Sequence, residues 1–185
     1  MEFFEAVAKR RSIRVYEERP FPEEFVKKAL EAAIAAPNSS NTQTWDFYWV
    51  KSPEAKKKVA WMCMNQSAAR TADQFVVVVA DPKKWKRSQG PLLDYVKRIN
   101  APKQVHEYYS KLVPLMYRWG ILNSMALLKF PLTFFPGLFR PMARVALTKK
   151  GVQEVSVKSA ALAAENFMLA ITAQGGATCP MEGFD

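Results

Sequence analysis

A chain of 185 residues with 49% hydrophobic and 24% charged side chains has the composition of one globular domain, or one with an elaboration, with a sizeable core rather than that of a disordered chain. The formal net charge of +10 leaves nucleic acid, an anionic membrane surface and an anionic small ligand open as partners. Cys63 and Cys179 are too few and too far apart for a disulfide framework, and the amino terminus lacks the basic-then-apolar order of a secretory signal, so a reducing cytoplasm is the expected compartment.

In chain order, residues 2–9 predict a short helix with Phe3, Phe4 and Val7 on one face. A basic cluster follows, Arg10-Arg11-Ser12-Ile13-Arg14. Pro22 suits the first turn of a second helix, with Glu23 and Glu24 at the positive end of its dipole, and this helix stops before Pro37. Asn38 to Thr42 form a polar loop. Trp45 to Val50 is aromatic and β-branched, hence a strand. Pro53 opens a helix to about Met64. Phe75 to Ala80 is apolar without alternation and predicts a central strand buried on both faces. The run Lys83-Lys84-Trp85-Lys86-Arg87 reads as a solvated loop.

The segment 92–150 is expected to be a helical insertion or lid, with helices near 103–119 and 121–130. It is rich in Leu, Phe and Met and broken by Pro131, Pro136 and Pro141. Its longest uncharged run, Phe130 to Phe139, falls short of the ~20 residues that span a bilayer. Residues 112–147 suit a lid or dimer contact; peripheral membrane contact is the alternative, because Lys129, Arg140 and Arg144 flank the apolar part. Val155 to Gln174 predicts a long, apolar, buried central helix capped by Gly175-Gly176. A short strand-like end follows. The order is that of an α+β fold with a mixed or antiparallel sheet sandwiched by helices.

The single histidine, His106, lies in a stretch that reads as an exposed helix, so Ser-His-Asp or Cys-His catalysis has little to work with. Zinc sites fail on ligand count, and neither G-x-G-x-x-G nor a Walker loop occurs. An enzyme built from this chain would borrow its chemistry from a cofactor. Three constellations carry candidates. Arg10, Ser12 and Arg14 would share one face of an extended segment, offering guanidinium forks and a hydroxyl to a phosphate; an exposed basic turn is the bland alternative. The loop from Pro37 to Trp45 is dense in amides and hydroxyls that could meet the edge of a planar heterocycle, or merely form a turn and a cap. In Cys179-Pro180-Met181-Glu182-Gly183-Phe184-Asp185, proline stiffens the backbone and glycine permits close approach.

Together and in this order, the three resemble the nitroreductase family of FMN enzymes. That family's pattern runs R-R-S-x-R, then A-P-S-x-x-N-x-Q-P-W, then a long alanine-rich helix with an internal Asn leading into G-x-x-x-C-x-x-x-G-F. Here these are Arg10 to Arg14, Ala36 to Trp45, and Ala160 to Phe184 with Asn166. The resemblance covers roughly 1–80 and 155–185 and leaves the middle unplaced. It implies a homodimer with FMN at the subunit interface, NADH or NADPH as electron donor, a small apolar electron acceptor such as a nitroaromatic or quinone, and no nucleic acid or metal. Arg10 and Ser12 would hold the FMN phosphate, Arg11 would lie beside them, and Arg14 near the pyrimidine edge. Pro37, Asn38, Ser39 and Asn41 would approach from the other subunit, and Asn65 would add a contact. Pro180, Met181, Glu182 and Gly183 would lie against the ring, with a main-chain amide near Glu182 donating to its reactive nitrogen.

No side chain is required as acid or base. A cation at the pyrimidine edge stabilises negative charge there, and the amide tunes hydride transfer. Thr44 stands where the family has Pro, and Asn38 where it has Ser. The chain stops at Asp185, where family members typically continue for some thirty residues, so a carboxy-terminal part, with a strand and a basic residue for the phosphate, is expected to be missing. A flavin-dependent dehalogenase or dehydrogenase of a specific metabolite, and a non-enzymatic basic module binding membrane or nucleic acid, are the competing readings.

Overall fold

The computed structural model describes residues 1–185 as a helix-rich α+β chain. It divides into two compact units, Met1–Ala36 with Phe47–Val79 and Leu162–Asp185, and Pro37–Asp46 with Ala80–Ala161. Strand β1 (Trp45–Val50) and helix α9 (Lys149–Ala173) contribute residues to both.

In the first unit, α1 (Phe3–Lys9) buries Ala6, while Phe3, Phe4 and Val7 are exposed. The expected apolar face therefore points outward, and Ala6 is the one α1 side chain taken into the core. Helix α2 (Glu23–Ile34) follows Pro22 and buries Val26, Ala29 and Ala33, three positions on one stripe. Helix α3 (Pro53–Met62) starts where Ser52 Oγ accepts the Ala55 N–H at 3.1 Å. Ala60 and Cys63 pack there with Ala69 of α4 (Ser67–Thr71), joined by Val59, Phe75 and Met181.

Strands β1 and β2 (Phe75–Ala80) pair with each other. The pairing is antiparallel: Asp81, just past β2, donates its N–H to the carbonyl of Thr44, just before β1, at 3.0 Å. At the other end Trp49 Nε1 donates to Gln74 Oε1 at 2.8 Å. The central strand expected at 75–80 is not buried on both faces: β2 is half-buried with Val79 exposed, because β1 is its one hydrogen-bonded neighbour in this chain.

In the second unit, Lys83 to Arg87 is not a solvated loop. Asp81 caps a short 3-10 turn by accepting the Lys83 N–H, and Trp85 opens α5 (Trp85–Arg98) with its indole 2% exposed. Trp85, Val113, Tyr117, Ala146 and Val152 form the core of this unit. The helix expected near 103–119 is present in pieces, α6 (Lys103–Glu107), a π turn (Tyr108–Leu112) and α7 (Val113–Tyr117). His106 is half-buried on α6 rather than exposed. Helix α8 (Met125–Phe134) carries Pro131 and is followed by a 3-10 turn over Pro136–Leu138.

Helix α9 is longer than the 155–174 read from sequence. Val152, Ser156, Ser159, Ala160 and Ala163 line its buried stripe, whereas Val157 and Leu162 are exposed. Its end is a Schellman cap: Gly175 at φ +81° donates to Thr172, and Gly176 to Ile171.

Candidate cofactor site

Leaving α1, the chain passes through Arg10 to Arg14 without helix and bends at Val15. Ser12 pairs with Thr178 in an isolated parallel bridge, and the Ile13 N–H donates to the Thr178 carbonyl at 3.1 Å. This one ladder rung joins the basic cluster to the carboxy-terminal constellation across the length of the chain. Arg10 and Ser12 are half-buried, whereas Arg11, Ile13 and Arg14 are exposed. The alternation expected for an extended segment thus holds for Arg10 to Ile13 and lapses at Arg14. Arg10 Nε lies 3.8 Å from Glu165 of α9, and Arg11 Nη1 donates to the Arg10 carbonyl at 2.7 Å. Tyr16 donates its N–H to Thr71 Oγ1, and burial, with the Cys179 thiol nearby, pushes its phenol up to about 12.

From Thr178 the chain meets the end of α3. Met64 and Asn65 both occupy the left-handed region, at φ 55° and 49°. The Met64 N–H donates to Trp61 and the Asn65 N–H to Ala60, a Schellman pattern with methionine where glycine is usual. Gln66 Nε2 donates to the Gly183 carbonyl at 3.1 Å, the Asp185 N–H donates to the Met62 carbonyl at 3.0 Å, and Met181 packs on Ala60, Cys63 and Ala69. Asn65 is therefore brought beside the segment carrying Met181, Glu182 and Gly183. A Cβ at Gly183 would touch Gln66 and Met64 at 3.4 Å, which shows how closely this backbone is approached. Pro180 and Glu182 are exposed.

Pro37, Asn38, Ser39 and Asn41 belong to the other unit and form a set of their own. Asn38 Oδ1 accepts the Gln43 N–H at 2.8 Å, and its amide donates to Asn41 Oδ1 at 3.3 Å. Ser40, Asn41 and Gln43 take positive φ of 53°, 48° and 47°, a strained turn that surrounding bonds must hold. The holders are residues that sequence reasoning missed. Ser40 Oγ is 2.5 Å from the Tyr108 hydroxyl. Thr42 Oγ1 donates to the Ser39 carbonyl at 2.8 Å and lies 3.0 Å from the Tyr117 hydroxyl, which supplies the proton of that second bond. Ser159 Oγ accepts the Ser39 N–H, and Ser88 Oγ donates to the Thr42 carbonyl. Arg87 donates to Asp46 at 2.8 Å and to the carbonyls of Gln43 and Trp45. Lys84 and Arg87 hold the Asp46 carboxyl below the ordinary carboxylate range. No local motif marks these supports, since they reach the loop from α5, the π turn, α7 and α9.

The donor set suits a phosphate-bearing heterocycle. Arg10 and Ser12 share the half-buried side of this segment, with Arg11 and Arg14 exposed in the same short stretch and Glu165 as the counter-charge near Arg10. At the same bridge the Thr178 hydroxyl is buried with no hydrogen-bond partner, an atom that a ligand oxygen could satisfy. The described His, Cys, Asp and Glu side chains form no cluster able to hold a metal ion.

A model of the nitroreductase family matches residues 7–185. The chain belongs to the nitroreductase family. Protein DrgA of Synechocystis is 27% identical over 186 residues, all of this chain and 73% of that protein. The Bacillus subtilis protein YdgI, assigned by name to the NAD(P)H nitroreductases, is 33% identical over 118 residues, 63% of this chain and 48% of that one. Rat iodotyrosine deiodinase 1 is 41% identical over 58 residues, 31% of this chain and 20% of the deiodinase. Among solved structures, Bacillus subtilis YdfN superposes with a TM-score of 0.74 at 20% identity, over 99% of this chain and 76% of that one. A nitroreductase-type protein from Exiguobacterium sibiricum in complex with FMN superposes with a TM-score of 0.68 at 23% identity, over 100% and 76%. These structural likenesses confirm the nitroreductase-like α+β fold.

Proposed function

We propose that this chain binds FMN and acts as an NAD(P)H-dependent oxidoreductase on a small apolar acceptor such as a nitroaromatic or quinone. The observation that carries the reading is the Ser12–Thr178 bridge, which gathers the basic cluster and the 178–183 segment into one place. Arg10 and Ser12 would hold the phosphate with Arg11 beside them. Arg14, exposed and free to reach, would sit near the pyrimidine edge, where a cation favours negative charge. Bound FMN would supply two-electron chemistry, accepting hydride from the nicotinamide donor and returning electrons to the acceptor in a second half-reaction. Met181, anchored on Ala60 and Cys63, and Gly183, tied to Gln66, would fix the backbone around Glu182 so that its amide points at the ring. Pro37, Asn38, Ser39 and Asn41 would contribute from a second copy in a homodimer, their turn held by Tyr108 and Tyr117. The free thiols of Cys63 and Cys179 agree with a cytoplasmic location. Peripheral membrane contact through 112–147 is independent of this chemistry.

The test is to titrate the purified protein with FMN by fluorescence quenching and then add NADPH or NADH under argon. Saturable quenching, bleaching of the flavin bands by the nucleotide, and a tenfold or greater loss of FMN affinity in Arg10→Ala are expected, because a charged hydrogen-bonding partner is worth about 1.5–3 kcal/mol. A protein that never takes up FMN refutes the reading. The likeness to iodotyrosine deiodinase favours a second reading, reductive dehalogenation, which halide release from a halogenated tyrosine would detect.

A further inference from the structure

Helix α8 is built inside out. Its polar residues face the protein: Lys129 is 4% exposed and donates from Nζ to the carbonyls of Met116 and Ala146 at 2.8 and 2.9 Å, and Thr133 bonds back to the Lys129 carbonyl. Its apolar residues face outward. Leu127 is 81% exposed and Phe139, just past the helix, 90%, and Phe130, Phe135 and Leu138 are exposed between them. Phe130 and Phe134 stack on this outer face with ring centroids 5.5 Å apart. A soluble surface helix shows the reverse arrangement, and an apolar patch of this extent marks a partner surface.

The charge around the patch selects the partner. Residues 108–153 contain no Asp or Glu but seven Lys or Arg. Lys129 is not among the outward cations, contrary to the expectation from sequence, because its ammonium is fixed inside on the two carbonyls. Arg144, in contrast, rests over the 3-10 turn: a Cβ on Gly137 would stand 2.7 Å from its Nη2. Arg140, Arg144, Lys149 and Lys150 are all exposed; Arg140 directly follows Phe139, Arg144 lies over Gly137, and the Lys149 N–H donates to Asn123 Oδ1 at 2.9 Å, which sets these cations along the apolar stretch. A second copy docking here would press like charge on like charge, whereas an anionic phospholipid surface satisfies both the apolar face and its basic rim.

We propose that residues 121–150 form a foot that docks the protein on anionic phospholipid bilayers, lying in the interface with the outer face of α8 among the acyl chains. Residues 121–138 are apolar enough to pass for a spanning segment, but the helix within them covers only Met125–Phe134. Ten residues at 1.5 Å each reach about 15 Å, half of the ~30 Å hydrocarbon core, so the segment lies on the membrane rather than through it. This inference does not rest on flavin binding.

The test is co-sedimentation of the whole chain with vesicles of phosphatidylcholine alone or mixed with phosphatidylglycerol, at low and high salt, with flavin absorbance recorded for every variant. Binding to the mixed vesicles, weakened by salt, is expected. Arg140→Gln with Arg144→Gln should lower partitioning to anionic vesicles about thirtyfold, from ~1 kcal/mol for each cation. Phe135→Ser with Phe139→Ser should lower it by more than about tenfold. Should the phenylalanine variant misfold by circular dichroism, the arginine pair, which removes only surface charge, carries the test. Absence of vesicle binding, or equal binding to neutral and anionic vesicles, overturns the proposal. So does a dimer that Phe135→Ser with Phe139→Ser splits in the ultracentrifuge while no vesicle is bound, which assigns the face to a second copy. Flavin content unchanged across the set separates either outcome from failure of the oxidoreductase reading.

Discussion

Replacing Tyr117 by Phe tests whether the Asn38–Gln43 turn is held from α7. The Tyr117 ring is 2% exposed and packs at 6.2 Å from the Trp85 ring, so its apolar burial survives the substitution. What is lost is the 3.0 Å bond to Thr42 Oγ1. Thr42 keeps the Ser39 carbonyl as acceptor at 2.8 Å, so no buried donor is stranded. The cost is then that of one net hydrogen bond, about 1 kcal/mol, against 3–5 kcal/mol for Tyr117→Ala, which opens a cavity as well. In urea, where m is about 2 kcal/mol/M for a domain of this size, Tyr117→Phe should lower the midpoint by about 0.5 M. Thr42→Val also gives up the bond to the Ser39 carbonyl and strands the buried Tyr117 hydroxyl, so it should cost more, about 2–3 kcal/mol, and the double variant no more than Thr42→Val alone, a coupling of about 1 kcal/mol. Additive single effects would mean that the two hydroxyls do not hold each other. A Tyr117→Phe cost as large as that of Tyr117→Ala would mean that the ring, not the bond, had been disturbed.

Three further outcomes follow from the geometry. Gly175→Ala meets open space and should cost only the left-handed strain, about 1 kcal/mol, whereas Gly176→Ala drives a Cβ to 2.7 Å from Phe21 and Ile171 and should cost more, about 1–3 kcal/mol by thermal denaturation. Met64→Gly relieves left-handed strain at the end of α3 and should raise stability by up to about 1 kcal/mol in the same assay; a loss would show that the methionine side chain matters more than its backbone. Asp46→Asn removes the partner of Lys84 and Arg87 and should cost about 1 kcal/mol at neutral pH. Because the folded carboxyl is depressed, its stabilisation is complete above the ordinary carboxylate range and fades as pH falls towards the lower folded value, so wild type and variant should converge only below that depressed value.

Much of this protein is legible locally. Proline at helix starts, the paired glycines after α9 and the β-branched runs place elements to within a few residues, because capping and strand preference act over one turn of chain. The three constellations are legible as text, since guanidiniums, amides and a Pro–Gly pair announce themselves in any context. Tertiary structure decided what touches them. The bridge that sets Ser12 against Thr178 is a contact between distant segments that no spacing encodes. Tyr108, Tyr117 and Arg87 look like ordinary helix residues until their hydroxyl and guanidinium groups are seen holding a strained turn. In α8 the pattern was readable but its direction was not. Periodicity separates two faces of a helix, and only packing determines which is inside; here two buried carbonyls claimed Lys129 and left the phenylalanines to the outside.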